Sequence, residues 1–216
     1  MIHHMDGITI RPATQADVER LIAILYDDPP RDMLGSVPDP AEARRAGAVF
    51  VRYGLAVDLR LTEVAEAGGE AVGLIELRRP GDDLRVSPWL ALRLLAREAT
   101  IAGPAGLWRY ARYQRARSRV NMAHPSDALY VGELDVHRDW RGRGIGGLML
   151  DHAEERARRE GFARMALTTT TINPAQHLYA RHGFRIIETR LDPAYERLTG
   201  IPGRVLMVKE LGGVPA

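Results

Sequence analysis

The residues of this 216-residue sequence best suited to chemistry lie in one loop, Arg141-Gly142-Arg143-Gly144-Ile145-Gly146. Glycines at 142, 144 and 146 leave backbone N–H groups uncovered. A helix starting in the loop adds its unpaired donors and the positive end of its dipole. Together these make an anion site suited to a pyrophosphate, and Arg141 and Arg143 can add charge-assisted hydrogen bonds. Taken alone, the loop also reads as a glycine-rich turn with a solvated arginine pair. It is not the dinucleotide fingerprint, which needs Gly-x-Gly-x-x-Gly after the first strand and an acidic residue about 20 positions later. No Gly-Lys-Ser/Thr ending marks a nucleotide triphosphate loop.

The elements that must position this loop read clearly around it. Leu129 to Val136 is predicted as a strand, and Gly144 to Glu160 as a helix with Ile145, Leu148, Met149 and Ala153 inward. Gly161 stops the helix, and Phe162 to Thr170 is the next strand. This strand-helix-strand unit implies a parallel pair. Asn173 is placed to cap a short helix beginning at Pro174 and ended by Gly183. Phe184 to Thr189 and Val205 to Lys209 are further strands. Upstream, Ile8 to Arg11 alternates as a strand, Thr14 to about Tyr26 and Pro40 to about Tyr53 read as helices, and Gly68-Gly69 joins a hairpin of Leu59–Ala67 and Glu70–Arg79. Residues 84–122 read as a helical insert, broken at Gly103-Pro104. One part is the apolar run from Trp89 to Leu95, the other an arginine-rich stretch with Arg112, Arg115 and Arg119 on one face.

Composition narrows the function classes. A hydrophobic share of 45% and a charged share of 27% are ordinary for a globular chain, and the length suits one domain over 1–216 with the insert at about 84–122. Lys209 is the only lysine, so a net charge of +2 accompanies a pI of 9.1 and does not point to nucleic acid. The lack of cysteine excludes disulfides and a cysteine nucleophile. No run approaches the roughly 20 apolar residues that span a bilayer. The opening residues have no charged segment followed by an apolar one. The expectation is a cytoplasmic protein without a metal: His3 and His4 stand at the terminus, and His137, His152, His177 and His182 show no ligand spacing. His137 is expected at the surface.

The stretch Glu133-Leu134-Asp135-Val136-His137-Arg138-Asp139-Trp140-Arg141-Gly142-Arg143-Gly144-Ile145-Gly146 resembles motif A of the GNAT superfamily of N-acetyltransferases, whose Arg/Gln-x-x-Gly-x-Gly/Ala signature is met by Arg141, Gly144 and Gly146. Asn173-Pro174-Ala175 and Leu178 to Phe184 resemble motif B, and Ile10 to Thr14 with Asp17 resembles the family's opening. The match covers roughly 127–190, and the element order extends it to most of the chain. The resemblance implies an α/β fold. Its sheet is mixed, mostly antiparallel and twisted, with six to seven strands, flanking helices and a splayed parallel central pair. The insert falls between the third and fourth strands.

The resemblance further implies acetyl transfer from acetyl-CoA, as co-substrate, to a primary amine that attacks the thioester directly. The loop from Arg141 to Gly146 would then hold the pyrophosphate. The backbone of Leu134, Asp135 and Val136 would hold the pantetheine arm, with the N–H near Leu134 stabilising the oxyanion. Asn173 would contact the arm or simply cap its helix. Tyr179 falls at the family's general-acid position and alternatively reads as a core tyrosine. Along the strand Glu133, Asp135 and His137 share one face. Glu133 is the first choice of general base and Glu76 the second.

The acceptor, a small-molecule or peptide amine, stays open. The insert is read as a solvated arginine face over Leu107, Tyr110 and Ala111. It is read alternatively as a wall of the acceptor pocket, a homodimer contact through Trp89 to Leu95, or a nucleic-acid surface. Other readings of the whole chain are an inactive acyl-CoA sensor and a nucleic-acid-binding protein.

Overall fold

In the computed structural model the described residues are 7–54, 56–82 and 88–212, with side chains from 104 onward in the last stretch. His3 and His4, and the side chains of Trp89 to Leu95 proposed as a dimer contact, lie outside them. The chain begins with β1 (Ile8–Pro12), a short 3₁₀ turn, α1 (Val18–Tyr26), α2 (Arg31–Leu34) and α3 (Pro40–Arg52). It continues through the hairpin β2 (Thr62–Ala67) and β3 (Glu70–Arg78), then α4 (Pro88–Val120), β4 (Ala128–Val136), α5 (Ile145–Arg159) and β5 (Arg164–Thr170). It closes with α6 (Gln176–Arg181), β6 (Arg185–Leu191), α7 (Pro193–Thr199) and β7 (Gly203–Glu210).

The strands form one seven-stranded sheet in the order β1-β2-β3-β4-β5-β7-β6. Every neighbouring pair is antiparallel except β4–β5. Helix α5 lays Ile145, Met149 and Ala153 on one face of the sheet, against Val72, Ile75, Leu129 and Met165. Helices α1 and α3 cover the other face, where Leu21, Leu25 and Val51 meet Val64 and Leu74. Gly47, an apparent flaw in α3, is required there: a Cβ at that position would lie 2.4 Å from the Tyr26 ring.

The chain enters α1 through a buried polar cluster. Asp17 accepts from Thr14 N at 2.7 Å and from both Arg11 terminal nitrogens at 2.8 Å. The Arg11 hydrogen bonds hold its carboxyl at about 2, below the usual range. A depressed carboxylate contributes stability above its unfolded value and loses it as pH falls through the folded one. Asp17→Asn is therefore expected to lower the unfolding free energy by about 2 kcal/mol at neutral pH. The deficit should shrink from about pH 4 downward, measured by urea unfolding across pH.

The insert departs from expectation. Helix α4 runs through Pro104 without a break. A proline removes one hydrogen bond and crowds the preceding turn. It bends a helix rather than ending it when strong helix formers, here Ala105 and Leu107, continue the pattern and packing rewards the continuation. The inward stripe also differs. Tyr113, Ala116 and Val120 pack on Tyr195 and Ile201 of the α7 region, while Tyr110 and Ala111 are exposed and Leu107 is half-buried. Arg112, Arg115 and Arg119 are solvent-facing, as read, with Arg112 stacked 4.4 Å over the exposed Trp108 ring.

Candidate functional site

The parallel pair opens partway along its length. β4 and β5 pair from Ala128↔Arg164 to Val131↔Leu167 and no further. Beyond that point Glu133–Val136 pairs only with β3 and Thr168–Thr170 only with β7. The gap belongs to a cleft of about 2010 Å³ lined from both sides, by Glu133 to Val136 and by Thr168 to Thr170.

The start of the gap is a β-bulge. Register slips between Glu76↔Glu133 and Leu77↔Val131, leaving Gly132 as the extra residue. A Cβ on Gly132 would lie 2.6 Å from Glu76 Oε2 and 3.0 Å from Arg78 Nε. Those atoms belong to an ion pair buried on the Glu76 side, with Arg78 Nε and Nη2 donating to Glu76 Oε2 at 2.9 and 2.7 Å, and Asp58 N donates to Glu76 Oε1 at 2.8 Å. Glu76 is fully buried and its oxygens are occupied. Gly132→Ala is expected to break this pair and lower stability by about 3 kcal/mol in denaturant unfolding.

Past the bulge the backbone alternates regularly. His137 N donates to Val72 O on β3 at 2.9 Å. Successive residues point their backbone groups to opposite sides, so those of Leu134 and Val136 face the gap. Arg141 Nε accordingly reaches Val136 O at 2.9 Å from that side. Apart from that bond to Val136 O, the gap is lined by strand-edge groups that no neighbouring strand pairs.

The glycine loop closes one end. Gly142 and Gly144 have φ of 76° and 81°, left-handed values natural only to glycine. Gly144 is the N-cap of α5, and its carbonyl accepts the first helical bond from Leu148 N. The N–H groups of 142–147 make no hydrogen bond to a described residue. Arg141 also pairs with Asp28 at 3.4 Å, and Arg143 donates to Asp139 O and lies 4.7 Å over the Trp140 ring. Gly146 admits Leu178 of α6, which would stand 3.1 Å from a Cβ there.

Asn173 is committed to its turn: Oδ1 accepts from Ala175 N at 2.9 Å and Nδ2 donates to Thr169 Oγ1 at 2.7 Å. The helix it was expected to cap from Pro174 begins at Gln176 instead, because residues 173–175 form hydrogen-bonded turns first. His137, expected at the surface, is 7% exposed, because its ring turns in to cap the short 3₁₀ turn by accepting from Asp139 N.

Three titratable groups border the cleft beside the gap. Glu133 and Asp135 both border the cleft and both have their carboxyls pushed up, chiefly by burial. Asp135, Glu76 and Asp32 push Glu133 up further, whereas Arg141 and a hydrogen bond from Glu133 pull Asp135 back. Tyr179 of α6 is 6% exposed, packs edge-on to Phe184 at 6.2 Å, and still borders the cleft. Burial raises its phenol, with Asp135 and Glu133 adding to the shift. Its hydroxyl has no hydrogen-bond partner among the described residues. The arrangement can hold an anion at one end and an extended chain along the edge, and it can donate and accept a proton between them. Among the described residues no group of three metal-ligating side chains gathers.

A wall that the sequence reading left open comes from α4, whose Tyr113, Gln114 and Arg117 line the far half of the cleft. Opposite stand Asp32, which lies in the unread α2, and Arg204 of β7.

The family model described as acetyltransferase (GNAT) family matches residues 23–184. A streptothricin acetyltransferase from Streptomyces lavendulae is 39% identical over 57 residues. That match spans 26% of this chain and 30% of the relative's length. Among solved structures, a Corynebacterium glutamicum protein described as histone acetyltransferase HPA2 and related acetyltransferase superimposes with a TM-score of 0.63 at 22% identity, covering 95% of this chain and 97% of that one. The PaiA N-acetyltransferase from Thermoplasma acidophilum, solved in complex with coenzyme A, gives 0.57 at 15% identity, covering 95% and 99%. At such identities these structures speak for the fold.

Proposed function

Because this chain belongs to the acetyltransferase (GNAT) family, we propose that it transfers an acetyl group from acetyl-CoA to a primary amine that attacks the thioester directly. The observation that carries the reading is the junction of the strand edge at Leu134 and Val136, which no other strand pairs, with the free N–H groups of 142–147. A pantetheine arm is an extended, amide-bearing chain ending in a pyrophosphate, and its two needs are met in that order along the cleft. The donor supplies the activated acyl group; the remaining steps fall to the protein.

The loop from Arg141 to Gly146 cradles the pyrophosphate with backbone donors and the dipole of α5. Leu134 and Val136 pair with the arm as a neighbouring strand would, with Asp135 between them turning its side chain to the cleft. Leu134 N–H donates to the thioester oxygen as it gains negative charge, a contribution of about 3 kcal/mol in comparable sites. Glu133 accepts a proton from the ammonium, directly or through one water, so that the free amine attacks. Tyr179 gives its proton to the departing thiolate. Burial keeps that phenol protonated, and the same burial disfavours the thiolate, which favours transfer. Asn173 shapes the turn that brings α6, and with it Tyr179, to the cleft.

The test is release of free coenzyme A from acetyl-CoA in the presence of a panel of amines, followed by a thiol reagent. Acetyl-CoA binding with no amine-dependent release would replace this reading with a binding module.

A further inference from the structure

The far half of the cleft holds a polar group that the acetyl transfer does not use. Arg117, on α4, borders the cleft and makes no ion pair or hydrogen bond with any described residue. Its Nε is buried and unpartnered. Across from it Arg204 gives Nη1 to Asp32 at 3.2 Å and reaches Thr168 only at 3.4 Å, and its Nε too is buried without a partner. The hydroxyl of Tyr195, a fully buried residue next to the cleft wall rather than on it, also lacks a well-formed hydrogen bond. Tyr113 stacks against Tyr195 with ring centroids 6.4 Å apart and closes the wall.

These unmet atoms are nearly all donors. Arg117 and Arg204 share the fields of Asp32, which Arg204 already holds, and of Glu133, and Arg109 on the same cleft adds another buried Nε without a partner. Buried donors without acceptors cost free energy, and a buried cation without a partner costs more. A ligand that brings oxygen acceptors and a negative charge removes both costs. Glu133 and Asp135 border the same cleft, so it offers carboxyls to an ammonium and unmet guanidinium donors to an anion.

We propose that the acceptor carries an anionic group, a carboxylate or a phosphate, besides its amine, and that Arg117 with Arg204 binds that group. The proposal rests on the acetyltransferase reading and makes Arg117 a specificity-determining residue contributed by the insert.

Matched acceptor pairs test it: L-lysine with cadaverine, L-arginine with agmatine, and phosphoethanolamine with ethanolamine, each scored by kcat/KM from coenzyme A release. In at least one pair the anionic member is expected to be preferred by about 100-fold, as for a site built to hydrogen-bond a group the analogue lacks. The pair that shows it separates carboxylate from phosphate. Arg117→Gln should reduce that preference to about fivefold or less, and Arg117→Lys should retain part of it, keeping the charge without the planar fork. Equal or reversed preference in every pair overturns the proposal, as does an undiminished preference in Arg117→Gln. Arg117 has no partner to lose, so both variants should fold.

A second readout does not need turnover. With coenzyme A filling the phosphate loop, succinate or inorganic phosphate should raise Tm in the parent and fail to do so in Arg117→Gln. Absence of a shift in the parent counts against the anion site. Absence of coenzyme A release from any amine, with the shift present, counts against acetyl transfer alone.

Discussion

Tyr179→Phe is expected to lower kcat by about 10²–10³-fold, within the range of a lost general acid, while acetyl-CoA affinity stays near the parent value. The ring packs against Phe184 and the α5–α6 core, and phenylalanine preserves that packing. The hydroxyl has no hydrogen-bond partner among the described residues, so removing it leaves none of their buried groups orphaned. Folding stability should therefore be little changed. This combination separates the two roles open to Tyr179: a core tyrosine predicts unchanged turnover, a proton donor predicts its loss at constant stability. Titration of acetyl-CoA, unfolding in urea and steady-state kinetics on one preparation read all three. Unchanged kcat would remove Tyr179 from the mechanism.

Glu133→Gln is expected to lower kcat/KM by about 10²-fold or more and to change the shape of the pH profile. In the parent, activity should rise as pH passes through the elevated value of the Glu133–Asp135 pair, because a base works only when ionised. Two carboxyls so close titrate as a pair, so the rise belongs to both. The glutamine variant should lose most of this limb and keep the one set by the amine. Stability moves the other way. A carboxyl whose folded value is raised contributes its stability below the unfolded value and loses it as pH rises through the folded one. At alkaline pH the parent holds a buried charge that the variant lacks. Glu133→Gln should therefore raise Tm at alkaline pH and have little effect near about pH 5, where the parent is largely protonated. A variant that is slower and also less stable at every pH would mark Glu133 as structural.

Much of this site could be read from the sequence because its parts are local. The apolar periodicity of α5, the stop at Gly161 and the alternation of β4 lie within single segments, and the loop between them needs only its own glycines. The expectation that the parallel pair splays came with the family resemblance and holds in the register of β4 and β5. Two short helices went unread. Helix α7 carried a signal in Asp192, Pro193 and Gly200, its N-cap, first residue and left-handed cap, but only seven residues separate the caps. Helix α2 has four residues and no side-chain cap. On α4, two stripes compete at helical spacing, and Tyr113, Ala116 and Val120 win because Tyr195 and Ile201 lie opposite. The meeting of Arg117, Asp32 and Arg204 could not be read at all. Three distant segments supply it, and only the folded chain brings them to one cleft.

The halt in pairing after Val131 has a consequence for the solution behaviour of the chain. An exposed row of unsatisfied strand groups ordinarily invites another protein to add on. Here the row lies between two halves of one sheet, inside a cleft walled by helices. A single flexible chain can enter and pair, whereas a second sheet cannot approach. Depth thus does the protective work that lysine, proline or a bulge performs at an outer edge, and the sheet remains available for a guest without becoming a template for aggregation.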